Sequence, residues 1–275
     1  QNSRVEFVES FCSSFMHNID AYGNGEIILS GPLNSMNLIG RIIVDGSAGI
    51  SSLNTNYKLK NDTIDFIHNE IQFKKDKLYD KNGNLGVVSG SIYHQNLKKL
   101  TYNIKLEAND MLAYDFHEFG TNTFYGTIYA TGSCNIRGKS GEISIDINAK
   151  PEKGSQLVYN VSSPETIRNN EFIRWNNADK PGSINSARNN SNADIPSDIH
   201  LNFLINCTPD ATLKLIMDNQ TGDYISLNGN GIIHASYYNK GGYDMFGNYL
   251  VDHGIYKLTI QNAIKKDFQF KEGST

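Results

Sequence analysis

Proline, tryptophan and cysteine are scarce in this sequence, and neither charge sign dominates. The 275 residues hold 6 Pro, 1 Trp and 3 Cys. Cys12, Cys134 and Cys207 are odd in number and lack CxxC spacing, which argues against a disulfide framework or a zinc site. Lys+Arg is 25 and Asp+Glu is 29, a net charge of −4. That balance gives no reason to expect nucleic acid or a polybasic membrane patch. No stretch approaches the ~20 apolar residues of a membrane helix. The chain starts at Gln1, so a missing anchor says little about the protein it belongs to.

Catalytic signatures are missing too. There is no Gly-x-Ser-x-Gly and no phosphate-binding loop. His17, His68, His94, His117, His200, His234 and His253 are scattered without metal spacing. Asp115-Phe-His-Glu118 reads as a solvated loop cluster, and Asp80-Lys-Asn-Gly-Asn84 as a hairpin rather than a calcium loop. No catalytic residue, metal or cofactor is expected, and an enzyme is the least favoured class.

What is present is glycine, tyrosine and alternation. The 24 Gly and 15 Tyr favour strands and tight turns. Phe124, Gly126, Ile128, Ala130, Gly132, Cys134 and Ile136 share one parity of a long strand, opposite Tyr125, Thr127, Tyr129, Thr131 and Ser133. Ile143, Ile145 and Ile147 form a second stripe; Tyr102, Ile104, Leu106 and Ala108 a third. Leu201, Phe203 and Ile205 precede Cys207, and Leu213, Leu215 and Met217 follow. Ile225, Leu227, Gly229, Gly231 and Ile233 alternate with Tyr224, Ser226, Asn228, Asn230 and Ile232, and Ile27 with Leu29 and Ile42 with Val44 continue the pattern near the start. Such one-sided strands predict an antiparallel-rich sheet with one wet face. Glycines on the apolar parity would let strands approach closely or bend. Val8, Phe11, Phe15 and Ile19 recur at helical spacing and predict a short amphipathic helix in a capping segment, residues 1–20. Ser163-Pro164-Glu165 looks like the start of another short helix.

The chain also echoes itself. Ala21-Tyr-Gly23 returns as Phe124-Tyr-Gly126, Tyr57-Lys-Leu59 as Tyr159-Asn-Val161 and then Tyr256-Lys-Leu258. Ile71-Gln-Phe73 returns as Ile173-Arg-Trp175 and Phe268-Gln-Phe270, so packing is the default role for Trp175. This predicts two repeats over residues 21–175, a loop rich in Asn, Ser and Pro-Gly over 176–198, and a third partial repeat over 199–275 extending the same sheet. Periodicity alone does not separate the core of a closed sandwich or barrel from the lining of an open groove, and composition favours the closed form. An adhesin or glycan-binding module, with Tyr125 and Tyr129 on the wet parity, is a second class; a structural scaffold is a third.

A resemblance favours the groove. Leu53-Asn-Thr-Asn-Tyr57, Leu78-Tyr-Asp80, Asn109-Asp-Met-Leu-Ala-Tyr-Asp115, Tyr129-Ala-Thr-Gly132, Ile145-Asp-Ile-Asn-Ala149, Pro209-Asp-Ala211, Tyr237-Tyr-Asn-Lys-Gly241 and Val251-Asp-His-Gly254 run in an order that resembles the C-terminal region of Bacteroidetes-type TamB proteins. These are translocation and assembly proteins related to AsmA-like and bridge-like lipid transfer proteins. The resemblance implies a long, curved, taco-like, U-shaped β-sheet with an apolar interior. It implies a periplasmic segment of an inner-membrane-anchored protein, phospholipid acyl chains as cargo, and an outer-membrane barrel of the Omp85 type, TamA-like or BamA-like, as partner. A linked role in outer-membrane protein assembly follows from the same resemblance, and a bare sheet edge could also self-associate. The apolar stripes above are then the groove lining.

Overall fold

The computed structural model describes residues 3–4, 16–32, 36–96, 98–119, 124–139, 141–161, 198–260 and 264–271. Among them there is no helix; 15 strands form one sheet. The first half comprises β1 (Ser3–Arg4), β2 (Met16–Ser30), β3 (Asn37–Ile50), β4 (Thr55–Ile67), β5 (Glu70–Tyr79), β6 (Leu85–Gln95), β7 (Lys98–Phe116) and β8 (Phe124–Lys139). Then come β9 (Glu142–Pro151), β10 (Gln156–Asn160), β11 (Asp198–Cys207), β12 (Thr212–Asp218), β13 (Asp223–Tyr238), β14 (Gly242–Ile260) and β15 (Ile264–Phe270).

From β1 to β8 each strand pairs antiparallel with the next. β9 and β10 then share one edge of β8, at residues 130–139 and 124–127, so together they fill one strand position broken at 152–155. β11 runs parallel to β9 and β12 parallel to β10, filling the next position with a break at 208–211. β13 pairs antiparallel with both, and β14 and β15 complete the ribbon. The sheet is therefore antiparallel throughout, except at this one parallel junction.

Single extra residues interrupt the ladders. Asn18, Asn61, Lys75, Lys99 and Asp110 each sit at such a bulge with φ between 50° and 62°. A bulge bends its strand and strengthens the local twist. From β7 to β14 the irregularities lie side by side: Asp110, the breaks at 152–155 and 208–211, and Asp252. Ser155 stitches this line together. Its Oγ accepts from the Tyr129 N–H and donates to the Tyr129 carbonyl, both at 3.0 Å, while its carbonyl accepts from Thr212 N–H at 2.9 Å.

The sequence predicted a helix over residues 8–19, and the structure corrects its C-terminal end, which is strand. Met16–Asp20 lies in β2, paired with β3, and Ser3–Arg4 pairs with β2. Of the four residues at helical spacing only Ile19 is described, and there pairing with the 14-residue β3 satisfies the backbone groups of β2. Residues 5–15 lie outside the described residues, as do the predicted helix at 163–165, Trp175 and the loop up to 197; Asp198 opens β11.

Candidate functional site

Side chains of paired residues share a face, so the register traces one face across the whole ribbon. Ile27 and Leu29 stand opposite Gly40 and Leu38, and Ile42 opposite Ile64. Val44 stands opposite Asp62, where β4 bulges. Phe66 pairs with Ile71, and Ile71 with Ile92. Ile104 and Leu106 pair with Gly90 and Val88 on one side and with Ile136 and Cys134 on the other. Ile128 stands opposite Tyr114. Ile143, Ile145 and Ile147 face Gly138, Ile136 and Cys134, then Ile199, Leu201 and Phe203. Phe203 and Ile205 meet Ala235 and Ile233; Leu213 and Leu215 meet Leu227 and Ile225. Nineteen of the twenty residues predicted to line the groove thus stand on one face. Met217 is the exception. It is the unpaired residue between the pairs Ile216–Tyr224 and Asp218–Asp223 and is 40% exposed.

The recurrent motifs occupy this face as well: Tyr57, Tyr159 and Tyr256, and Phe73 with Phe268. Its glycines are sterically required. A Cβ on Gly132 would lie 2.1 Å from the Asn148 carbonyl oxygen, and one on Gly231 2.1 Å from that of Asn248.

Among the described residues no second layer is stacked on the face. Substantial contact among the described strands is confined to ladder neighbours, with β4 against β7 as the one exception. Ile42, Val44 and Phe66 form a small buried cluster with Ile27, Leu38, Leu59, Ile64 and Ile71 around it, but most of the face is half-buried and Leu29 is 58% exposed. The opposite face carries charge. Asp65 holds Arg41 Nε at 2.5 Å and Lys74 Nζ at 2.9 Å, Asp146 pairs with Arg137, and Lys105 pairs with Glu107 at 2.5 Å. Guanidinium and ammonium neighbours hold the Asp65 carboxyl below its ordinary range.

Several titratable groups on the apolar face are biased to their neutral forms. Burial pushes the Tyr114 and Tyr249 phenols up to about 12 and the Cys134 thiol up to about 11. Cys207 and Tyr57 are raised, again chiefly by burial. Asp76 is pushed up to about 6, first by burial and then by Asp62, with the Lys74 N–H acting the other way. This is the behaviour of a low-dielectric surface.

The β4–β7 contact shows which way the sheet curls. These strands are three ladder spacings apart, about 14 Å in a flat sheet. At one end they nevertheless bond directly: Asp115 N–H donates to Leu53 O at 3.0 Å, and Asn54 Nδ2 to Asp115 O at 2.6 Å. Tyr57 stands on the apolar face, and its hydroxyl donates to Leu112 O at 2.8 Å. The sheet therefore curls toward its apolar side. The β5–β6 turn is held inside this clasp. Asp80 accepts from the N–H groups of Asn82 (2.8 Å), Asn84 (2.9 Å) and Leu112 (2.8 Å), and Lys81 pairs with Asp115 at 2.5 Å. The Asp115 carboxylate also accepts from Thr127 Oγ1 at 2.8 Å, so it serves as a structural tie. Among the described residues no cluster of three or more His, Cys, Asp or Glu is arranged to hold a metal.

Several lining residues escaped the sequence reading. Phe66, Ile71, Phe73 and Val88 are on the face, as is the buried carboxyl of Asp76. Alternation at Ile64–Phe66 and Ile71–Phe73 was there to be read; Asp76 was hidden by the bulge at Lys75.

The described residues form a single curled layer, apolar inside and charged outside, which is an open β-groove rather than a sandwich or closed barrel. The TamB C-terminal domain family matches residues 74–275, and the chain belongs to the TamB family. That membership associates it with assembly of the bacterial cell envelope. No curated protein and no solved structure gives a match.

Proposed function

We propose that this chain is a non-catalytic periplasmic conduit segment that carries phospholipid acyl chains along its apolar groove between the inner and outer membranes. The observation that carries this reading is the continuous apolar face, traced by register from β2 to β14, with no second layer on it among the described residues. A face of that size exposed to water would be costly, and an acyl chain laid on it gains ~0.8 kcal/mol per buried methylene. The greasy face runs across the strands, so a chain bound at one strand lies beside apolar residues of the next. In this reading the segment belongs to an inner-membrane-anchored protein, meets an Omp85-type barrel at the outer membrane, and contributes indirectly to outer-membrane protein assembly.

The test is transfer of a fluorescent phospholipid between donor and acceptor vesicles. The wild-type chain should accelerate it. Ile145→Asp and Leu215→Asp, each in a still-folded protein, should reduce the acceleration about tenfold or more. Unchanged transfer in both variants would refute the conduit.

A second reading has one observation in its favour. β14 pairs with β13 over residues 242–257 but with β15 only over 254–260, so residues 242–253 have no described strand on their far side. Strand addition there, to a barrel or to a second copy, would make the segment a scaffold. In that case the Asp substitutions at Ile145 and Leu215 would leave function intact.

A further inference from the structure

Asp76 is out of place. Of the acidic residues paired in β3 through β9, only Asp62 and Asp76 stand opposite residues of the apolar face, Val44 and Val88. Asp62 has a partner, since its Oδ2 accepts from the Lys77 N–H at 3.0 Å. Asp76 is 4% exposed and its Oδ2 has no hydrogen-bond partner. The extra residue Lys75 turns it inward between Phe73 and Leu78, whose own partners are Gly90 and Gly86. Over Gly86 the space is filled by the Met111 and Leu106 side chains, so the surroundings of the carboxyl are apolar there.

Neighbouring charges do not neutralise it. On β4, Asp65 is committed to Arg41 and Lys74, and Asp62 adds like charge. Lys58 and Lys60 belong to the outer side, where Lys60 lies over the Tyr79 ring. On β5, Lys74, Lys75 and Lys77 are exposed. On β6, the facing residues Val87, Val88 and Ser89 carry no charge. Further along the apolar face, Asp80 is used by the turn and Tyr57 by Leu112.

We propose that Asp76 forms a proton-linked subsite for an uncharged acyl chain, in which the carboxyl must be neutral before the chain can lie against it. This rests on the groove reading above and deepens it. A chain seated on Phe73, Val88 and Leu78 removes the remaining water from the Asp76 carboxyl. Loading and proton uptake are therefore coupled: each favours the other by the same factor. With a midpoint near 6, the carboxyl is mostly neutral at pH 5 and mostly ionised at pH 7. Affinity for an uncharged apolar ligand at this subsite should be about tenfold weaker at pH 7 than at pH 5.

The experiment uses N-phenyl-1-naphthylamine, an apolar dye uncharged over this range, titrated into the full chain at pH 5 and pH 7. Wild type should bind about tenfold more tightly at pH 5. Asp76→Asn, which keeps the shape and removes the titration, should bind at both values as wild type does at pH 5. A variant that keeps the wild-type slope, or a wild type that binds without a slope, overturns the proton link and leaves the groove standing. No dye binding by either protein at either pH overturns the groove and the subsite together. Should Asp76→Asn not fold, the carboxyl 13C shift of Asp76 in wild type replaces it: the midpoint must rise when dye is added, and an unmoved midpoint refutes the link.

Discussion

Asp76 reaches the apolar face because of one extra residue, and that residue also explains why the sequence hid it. Counting by twos from Ile71 and Phe73 puts Lys75 and Lys77 inside and Asp76 outside. The bulge at Lys75, with φ at 62°, reverses the parity from there on. The stability consequence has a definite sign. The folded protein holds the Asp76 proton more tightly than the unfolded chain, with a midpoint of about 6 against an ordinary 3.8. Stability therefore falls as pH rises from 3.8 through about 6, and the loss persists above that. Asp76→Asn should raise unfolding stability by ~1–3 kcal/mol at pH 8 and change it little at pH 3.5, read from urea midpoints. An equal gain at both pH values would refute the assignment. Gly132 is a second informative residue. Its Cβ would collide with the Asn148 carbonyl, so Gly132→Val should cost ~3 kcal/mol or more, or prevent folding. A neutral result in the same urea titration would mean that the β8–β9 approach is looser than described.

Strands were legible in proportion to their regularity. The stripes at Ile143–Ile147, Leu201–Ile205 and Ile225–Ile233 alternate without interruption, and each lies in a strand on the expected face. Met217 continued a stripe by parity but is itself the bulge residue. The sequence showed the strands of the last third but not their pairing. The parallel junction of β9 with β11, and of β10 with β12, follows from where the chain returns after residue 161, which local pattern does not encode. The β4–β7 clasp was equally hidden, since its bonds join residues more than fifty positions apart. It makes an element-scale prediction. Tyr57→Phe removes the bond to Leu112 O, so it should cost ~1 kcal/mol. It should also speed hydrogen exchange at the Asp115 N–H, which is held by Leu53 O in the same clasp. Exchange at Asp115 unchanged from wild type would show that Tyr57 does not fasten the two strands.

At the scale of the whole molecule, one sheet separates two environments. Arg41, Lys74, Lys105 and Arg137 pair with acids on the outer side, while the inner side keeps phenols, thiols and one carboxyl biased toward neutrality. Periodicity in the sequence shows that there are two faces. It does not show whether the apolar one is covered, because a sandwich core and a groove alternate alike. Curling toward the apolar side, and the lack of a second layer among the described residues, distinguish them. The outer side is not uniformly polar. Near β13 and β14, Ile232, Phe246 and Leu250 are exposed, Leu250 at 71%, beside the stretch of β14 with no described strand on its far side.

The central claim is that the apolar face holds lipid, and native mass spectrometry of the purified chain, with extraction of whatever co-purifies, tests it most directly. The account predicts bound phospholipid in wild type and its loss from a folded protein carrying Asp at Ile145 and Leu215. Phospholipid retained in full by that folded double variant would contradict it.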